Sequence, residues 1–341
     1  MTSGASYSLK QKLGVLAFDL PRLLPCLLSR NGWVNAANRQ DRLETSDEGL
    51  GLRCSGRWSS DLHACHVFPD IGRRLMSKAF AEWPVYMEET WDETTVPQVS
   101  FVIPHRGKER LPLLHATIAS IAAQRDVTVE CIVVEQNAKC EVNGLPPWVR
   151  YVHLPHAVDL HGWHKSWAFN AGVSEANGEI VICHDGDILV PQDYGREVVR
   201  QLDGTERAVV HLQRFLFCLD ESATQISLTS GQLSFEQPPE RVRQNWQGGT
   251  LAIRKEAYWQ IGGYDEDFVD WGGEDNEFYD RCLTLAGWRC GYLPFVHLWH
   301  EPQVTKVNFT RDDNLDMLKR KLAVPAKQRI EKLFNKRGQK K

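Results

Sequence analysis

No stretch of this chain approaches the roughly 20 consecutive apolar residues that a membrane-spanning helix needs, which excludes a helical span read from sequence. There is no Cys-x-x-Cys pair among the 9 cysteines, and their number is odd. Reduced thiols in a cytosolic compartment fit that usage better than a disulfide framework. A net charge of −4 over 341 residues gives no global reason to expect a nucleic-acid partner. No internal repeat is present. Cys54, His63, Cys65 and His66 lie close together in sequence, but their spacing fits no standard zinc module, and ordinary packing is the reading they carry.

Hydrophobic content of 42% and charged content of 25% are those of an ordinary globular protein, with length for one large domain or two small ones. Residues 1–96 carry no motif. Within them Val15 to Leu28 is apolar but interrupted by Asp19, Pro21, Arg22 and Pro25. That pattern fits a short helix packed on the main domain, with an interfacial anchor as the alternative. A polar run, Asp92 to Pro97, reads as a linker. Residues 304–341 form a basic tail, expected to be solvated and fraying, with contact to an anionic membrane surface as a secondary reading.

From Val99 the texture changes. Short apolar runs, Val99–Ile103 (ended by Pro104), 129–135, 150–154 and 179–183, alternate with helical patterns over 111–124 and 165–176. This alternation predicts an α/β fold with a mostly parallel central sheet covered by helices on both faces. In such sheets ligands collect at the carboxyl ends of the strands. Two loops fall at that edge, Pro104 to Arg110 and His184 to Asp187.

Asp185-Gly186-Asp187 caps one of those strands, and its two carboxylates suit a hard divalent cation bridging a nucleotide diphosphate. A second Asp-x-Asp, Asp265 to Asp267, has no such context and reads as loop. His297 and His300 lie three apart between Pro294 and Pro302. They would face opposite sides of a straight strand and can share a metal only where the backbone turns; the competing reading is that one of them is a packed core histidine. Two imidazoles with a carboxylate suit Mn²⁺ better than Mg²⁺. Arg106, Lys108 and Lys165 are candidates for neutralising phosphate charge. In Trp271-Gly272-Gly273-Glu274-Asp275, an aromatic platform and two glycines precede an acidic pair that could bind an acceptor and act as general base. The same acids also suit a helix first turn. Trp246, Gly248 and Gly249 repeat the aromatic-plus-glycine theme, with a tight turn as the plain alternative.

Residues 97 to about 303 resemble glycosyltransferases of the GT-A (nucleotide-diphospho-sugar transferase) fold. VSFVIPHRGKERL and the HDGD strand end are similar to family 2 enzymes, and NWQGGTLAIRKEAYWQIGGYDEDFVDWGGEDNEFYDRC is similar to β-1,4-galactosyltransferases, with related segments in polypeptide GalNAc-transferases and chondroitin polymerases. The resemblance implies a catalytic domain over 97–303 with an additional N-terminal region. It places Pro104, His105, Arg106 and Lys108 in the nucleotide loop, Lys165 at a basic position before Asn170-Ala171-Gly172, and Asp185 toward the ribose or donor sugar. It makes Asp187 a metal ligand and matches His297 and His300 to a Met-x-x-His pair, a histidine standing for the methionine. Trp246, Gly249, Trp271, Glu274 and Asp275 would line the sugars, Asp275 being the base. What it implies is a Mn²⁺- (or Mg²⁺-) dependent inverting transferase using a UDP-sugar and a glycan or lipid-linked glycan acceptor. The expected setting is bacterial surface or capsular polysaccharide synthesis, in the cytoplasm or peripheral at the inner membrane face. A retaining transferase and a non-catalytic glycan-binding scaffold of the same fold are the competing expectations.

Overall fold

The structure is a computed structural model and describes residues 7–38, 41–54, 64–88, 96–155, 162–244, 247–301 and 310–338. At its centre is a seven-stranded sheet. Val99–His105 lies between Val129–Glu135 and Ile180–His184, parallel to both, and Val149–His153 adds a further parallel strand. Beyond Ile180–His184 the sheet continues with Thr250–Arg254, which runs antiparallel, then Val209–Val210 and Gly287–Trp288. The expected mostly parallel α/β sheet is present, with one reversed strand inserted.

Strand alternation sends successive side chains to opposite faces. Phe101, Ile103, Cys131, Val133 and Ile182 pack with the Leu111–Ala122 and Tyr194–Leu202 helices on one face. Val102, Ile132, Val134, Val181 and Cys183 meet the Lys165–Glu175 and Glu274–Cys282 helices on the other. Gly172 permits the close approach of the Lys165–Glu175 helix, since a Cβ there would stand 2.3 Å from Val102 Cγ1.

The first strand does not stop at Pro104. It runs through His105, with Pro104 opposite Val134. His105 C=O accepts from Gln136 N at 3.0 Å, so the groups of Pro104 turn to the other side, where pairing with Ile180–His184 has already ended at Val102. The missing proline donor therefore leaves no ladder bond unmade.

A second, four-stranded sheet joins Arg241–Arg243, Gln213–Cys218, Leu293–His297 and Ile188–Leu189. The N-terminal segments pack on it. Val15 to Leu28 is not one helix but two, Leu9–Phe18 and Leu20–Leu28, broken at the buried Asp19. Their inward residues Val15, Leu23 and Cys26 share an apolar cluster with Phe215, Phe217 and Val296. Arg214, 2% exposed, ties the two regions by donating to Val34 O and Ala36 O at 2.6 Å each. Of the expected linker, residues 92–95 lie outside the described residues, as does His63 of the cysteine–histidine group. Cys54 and Cys65 are buried there, and His66 Nε2 accepts from Val242 N at 3.2 Å.

The expectation of a fraying C-terminus is overturned for residues 310–338. Two helices, Thr310–Leu322 and Ala326–Gly338, dock on the main domain. Buried Arg329 pairs with Glu277 and Asp280, and Lys321 with Asp265 at 2.5 Å and Asp267 at 2.8 Å. Lys321, Arg329 and Lys336 have specific acidic partners on the main domain, and these order the segment. Lys321 and Lys336 occupy the second Asp-x-Asp, which is loop as expected.

Candidate active site

The carboxyl end of Ile180–His184 delivers Asp185 and Asp187 into two adjoining clusters. Asp187 belongs to the second sheet's edge. Ile188–Leu189 pairs antiparallel with Leu293–His297, His297 opposite Ile188, and Leu298 N donates to Asp187 O at 2.9 Å. The strand ends at His297, and the chain turns so that His300 returns to the same carboxylate. His300 Nε2 lies 3.2 Å and His297 Nε2 3.9 Å from Asp187 Oδ2. Ligand atoms of these three residues all lie within 4.8 Å of one another. A carboxylate and two imidazoles on so small a perimeter are a donor set that fits a divalent transition metal. Burial disfavours the Asp187 anion, but His297, His300 and Arg110 together outweigh it and hold its carboxyl well below the usual range. For His297, burial lowers the pKa against the pull of Asp187, which favours the neutral, ligating form.

Arg110, which sequence reasoning passed over, is the third partner of this cluster. Its Nη1 donates to Asp187 Oδ2 at 3.3 Å, and its Nη2 stands 2.9 Å from His300 Nδ1. That Nδ1 is also 2.8 Å from Glu301 O. One tautomer cannot serve both. If Nδ1 accepts from Arg110, Nε2 carries the proton and donates to Asp187. If Nδ1–H donates to Glu301 O, the Nε2 lone pair is free for a metal. The only sequence signal for Arg110 was its place in the loop after the first strand.

Asp185 belongs to the other cluster, fixed by its N–H donating to Gly249 O at 2.8 Å. Lys165 Nζ sits among three carboxylates: Asp185 at 2.8 Å, Asp275 at 3.2 Å and Glu274 at 3.5 Å. Lys165 starts its helix, and Glu274 and Asp275 form the first turn of Glu274–Cys282, where the helix dipole favours acids. Gly273 precedes them at φ 94°, a conformation L side chains rarely adopt, with Phe268 against it. Burial raises Asp185, Glu274 and Asp275 alike, with mutual repulsion adding to it and Lys165 opposing. Burial penalises the Lys165 ammonium too, but the acids overcome it and hold its pKa well above the usual value. One ammonium cannot neutralise three carboxylates, so the group is suited to taking up a proton. Asp275 Oδ1 also accepts from Tyr264 OH at 3.1 Å.

Two of the loop cations take partners other than these acids. Arg106 donates to Gly162 O, and exposed Lys108 reaches Glu141 at 4.0 Å. His105 is buried beside them, and burial lowers its pKa to about 4. Trp271 lies partly buried before the glycine pair, while Trp246 falls outside the described residues.

Against known proteins, the family model "Glycosyl transferase family 2" matches residues 100–261. A second, described as "N-terminal domain of galactosyltransferase", matches residues 234–297. The chain is 23% identical over 244 residues to probable N-acetylgalactosaminyltransferase 9 of Caenorhabditis elegans, covering 62% of this chain and 40% of that protein. It is 23% identical over 303 residues to human polypeptide N-acetylgalactosaminyltransferase 12, covering 78% and 50%. The chain thus spans half or less of these relatives' length. Among solved structures, mannosyltransferase PcManGT from Pyrobaculum calidifontis, in complex with GDP-Man and Mn²⁺, is similar at 18% identity, with 69% of this chain and 65% of that chain covered and a TM-score of 0.39.

Proposed function

We propose that this chain, matched by the glycosyl transferase family 2 model over residues 100–261 and the galactosyltransferase model over 234–297, is a glycosyltransferase of GT-A type that moves a hexose or N-acetylhexosamine from a UDP-sugar to a glycan hydroxyl, with inversion and with a divalent cation, Mn²⁺ before Mg²⁺. One observation carries the reading. Asp185 and Asp187, one residue apart, join three side chains that could hold a metal to a buried acid cluster at the carboxyl edge of the sheet. In this reading Asp187, His297 and His300 hold the cation. The cation's contribution when bound is to offset the charge that develops on the departing diphosphate. Asp185 faces the ribose or donor sugar, with Gly249 shaping the wall beside it and Trp271 offering an apolar face to a sugar ring. Pro104, His105, Arg106 and Lys108 make the loop that meets the nucleotide, and Arg110 joins them as a cation for the diphosphate. Asp275 takes the acceptor hydroxyl proton as the oxygen attacks the anomeric carbon, and Glu274 orients the acceptor. Burial, which raises Asp275, makes it a stronger base than an exposed aspartate. The acceptor proposed is a surface or capsular glycan, free or lipid-linked.

The test is release of UDP from a panel of nucleotide sugars with and without Mn²⁺. Wild-type protein should release UDP from one donor only with the metal. Asp187→Asn and Asp275→Asn should each lower the rate by about 10²–10⁴. An Asp275→Asn protein at near wild-type rate would remove the base assignment, and silence on every donor would favour the scaffold. One feature favours the retaining alternative: both Asp275 oxygens already accept, from Lys165 and Tyr264. The anomeric configuration of the product, read by NMR, separates the two.

A further inference from the structure

The two N-terminal helices bury few of their residues and leave most of them exposed. Val15, Leu23 and Cys26 turn inward, whereas Leu9, Leu13, Phe18, Leu24 and Leu28 are between 47% and 75% exposed. These are five of the twelve large apolar side chains exposed among the described residues, within twenty positions of sequence; helical periodicity puts Leu9 with Leu13 on one side of the first helix, opposite Phe18, and Leu24 with Leu28 on one side of the second. Scattered single apolar residues need no explanation, but a gathered set marks a contact surface. The charges around it decide what it contacts. Between Tyr7 and Asn31 the cations are Lys10, Lys12, Arg22 and Arg30, all exposed, and the one acid, Asp19, is fully buried. Lys78 adds a further positive charge where it donates to Ser29 O at 3.1 Å, at the end of the second helix.

We propose that this helical pair is a peripheral docking surface for an anionic lipid bilayer. A second copy of the chain would set four cations against four, and that repulsion disfavours a dimer through this face. A bilayer of anionic lipid supplies both an apolar boundary for the leucines and phenylalanine and negative charge for the lysines and arginines. Neither helix is long enough to cross: they are 10 and 9 residues, and among the described residues no helix is long and apolar enough to do so. The contact lies in the interface, and it stands whether or not the sugar-transfer reading holds.

The test is flotation of the full chain with vesicles of phosphatidylcholine alone and of phosphatidylcholine with 30% (about one lipid in three) phosphatidylglycerol. The protein should float with the anionic vesicles, bind neutral ones about tenfold or more weakly, and release as salt rises to about 0.5 M. Leu9→Ser/Leu13→Ser/Leu28→Ser should lose flotation while keeping its unfolding transition, because these side chains contribute little to the core. Equal binding to both vesicle types, or none to either, would overturn the proposal. So would a dimer in light scattering that the triple variant abolishes.

Discussion

In the proposed metal site, Arg110 would compete with a divalent cation for Asp187 and His300. The guanidinium reaches Asp187 and His300, and the tautomer in which His300 Nδ1 accepts from it has Nε2 protonated and closed to metal. Like charges a few ångströms apart in a partly buried site repel strongly. Removing the guanidinium by Arg110→Ala should therefore tighten Mn²⁺ binding to the nucleotide-free protein by about tenfold or more, measured by titration calorimetry. An unchanged or weaker affinity would mean that Arg110 supports the ligands. Asp187 was legible in the sequence because a buried apolar strand led straight into it. Arg110 was not, since Arg106, Lys108 and Arg110 look alike in one polar loop, and only the return of residues 297–300 distinguishes among them.

Among the elements, the Glu274–Cys282 helix shows how an acidic segment divides its labour. Glu274 and Asp275 face Lys165, while Glu277, one helical turn on, is fully buried between Arg281 and Arg329. Arg281 donates to Glu277 Oε1 and Oε2 at 2.9 and 3.0 Å and to Gly263 O at 2.7 Å. A buried charge left without its partner is costly. Glu277→Ala, which leaves buried Arg281 without its carboxylate and Arg329 with Asp280 alone, should lower stability by about 3–5 kcal/mol in urea unfolding, and a loss under about 1 kcal/mol would show that water reaches the pair. The parallel strands were readable from their apolar runs, and so was the helix over 165–176, within a residue at its end. The C-terminal helices were misread because their partners, Asp265, Asp267, Glu277 and Asp280, lie some fifty residues or more away in sequence. A lysine or arginine carries no local mark of whether it meets water or a distant acid.

For the molecule as a whole, two buried histidines set a pH dependence. Burial lowers His105 and His184 from 6.5 to about 4 each, and His184 Nε2 lies 3.0 Å from Ile188 O. Both are neutral when folded at neutral pH. Once the pH drops below 6.5, the unfolded chain takes up protons that the folded chain refuses, so stability falls through the window from 6.5 to about 4 and levels off below it. The loss is on the order of 3 kcal/mol per histidine. Urea midpoints between pH 7 and pH 4 should show this decline, and it should shrink in His184→Gln. A flat profile would mean that the two rings are hydrated in the native state.

The sequence by itself determined the alternation of strand and helix, the sheet edge where the candidate site lies, and the acids and histidines from which a site could be built. Those follow from local periodicity and from side-chain chemistry, which neighbours along the chain are enough to express. Only the tertiary structure decided that the second sheet brings His297 and His300 to Asp187, that Lys165 settles among three carboxylates rather than waiting for phosphate, and that the basic C-terminus is docked. Each of these depends on charges meeting across distances of about twenty to more than a hundred residues of chain, or on a turn closing at one strand end, and such pairings become specific only when the packed sheets fix the distances.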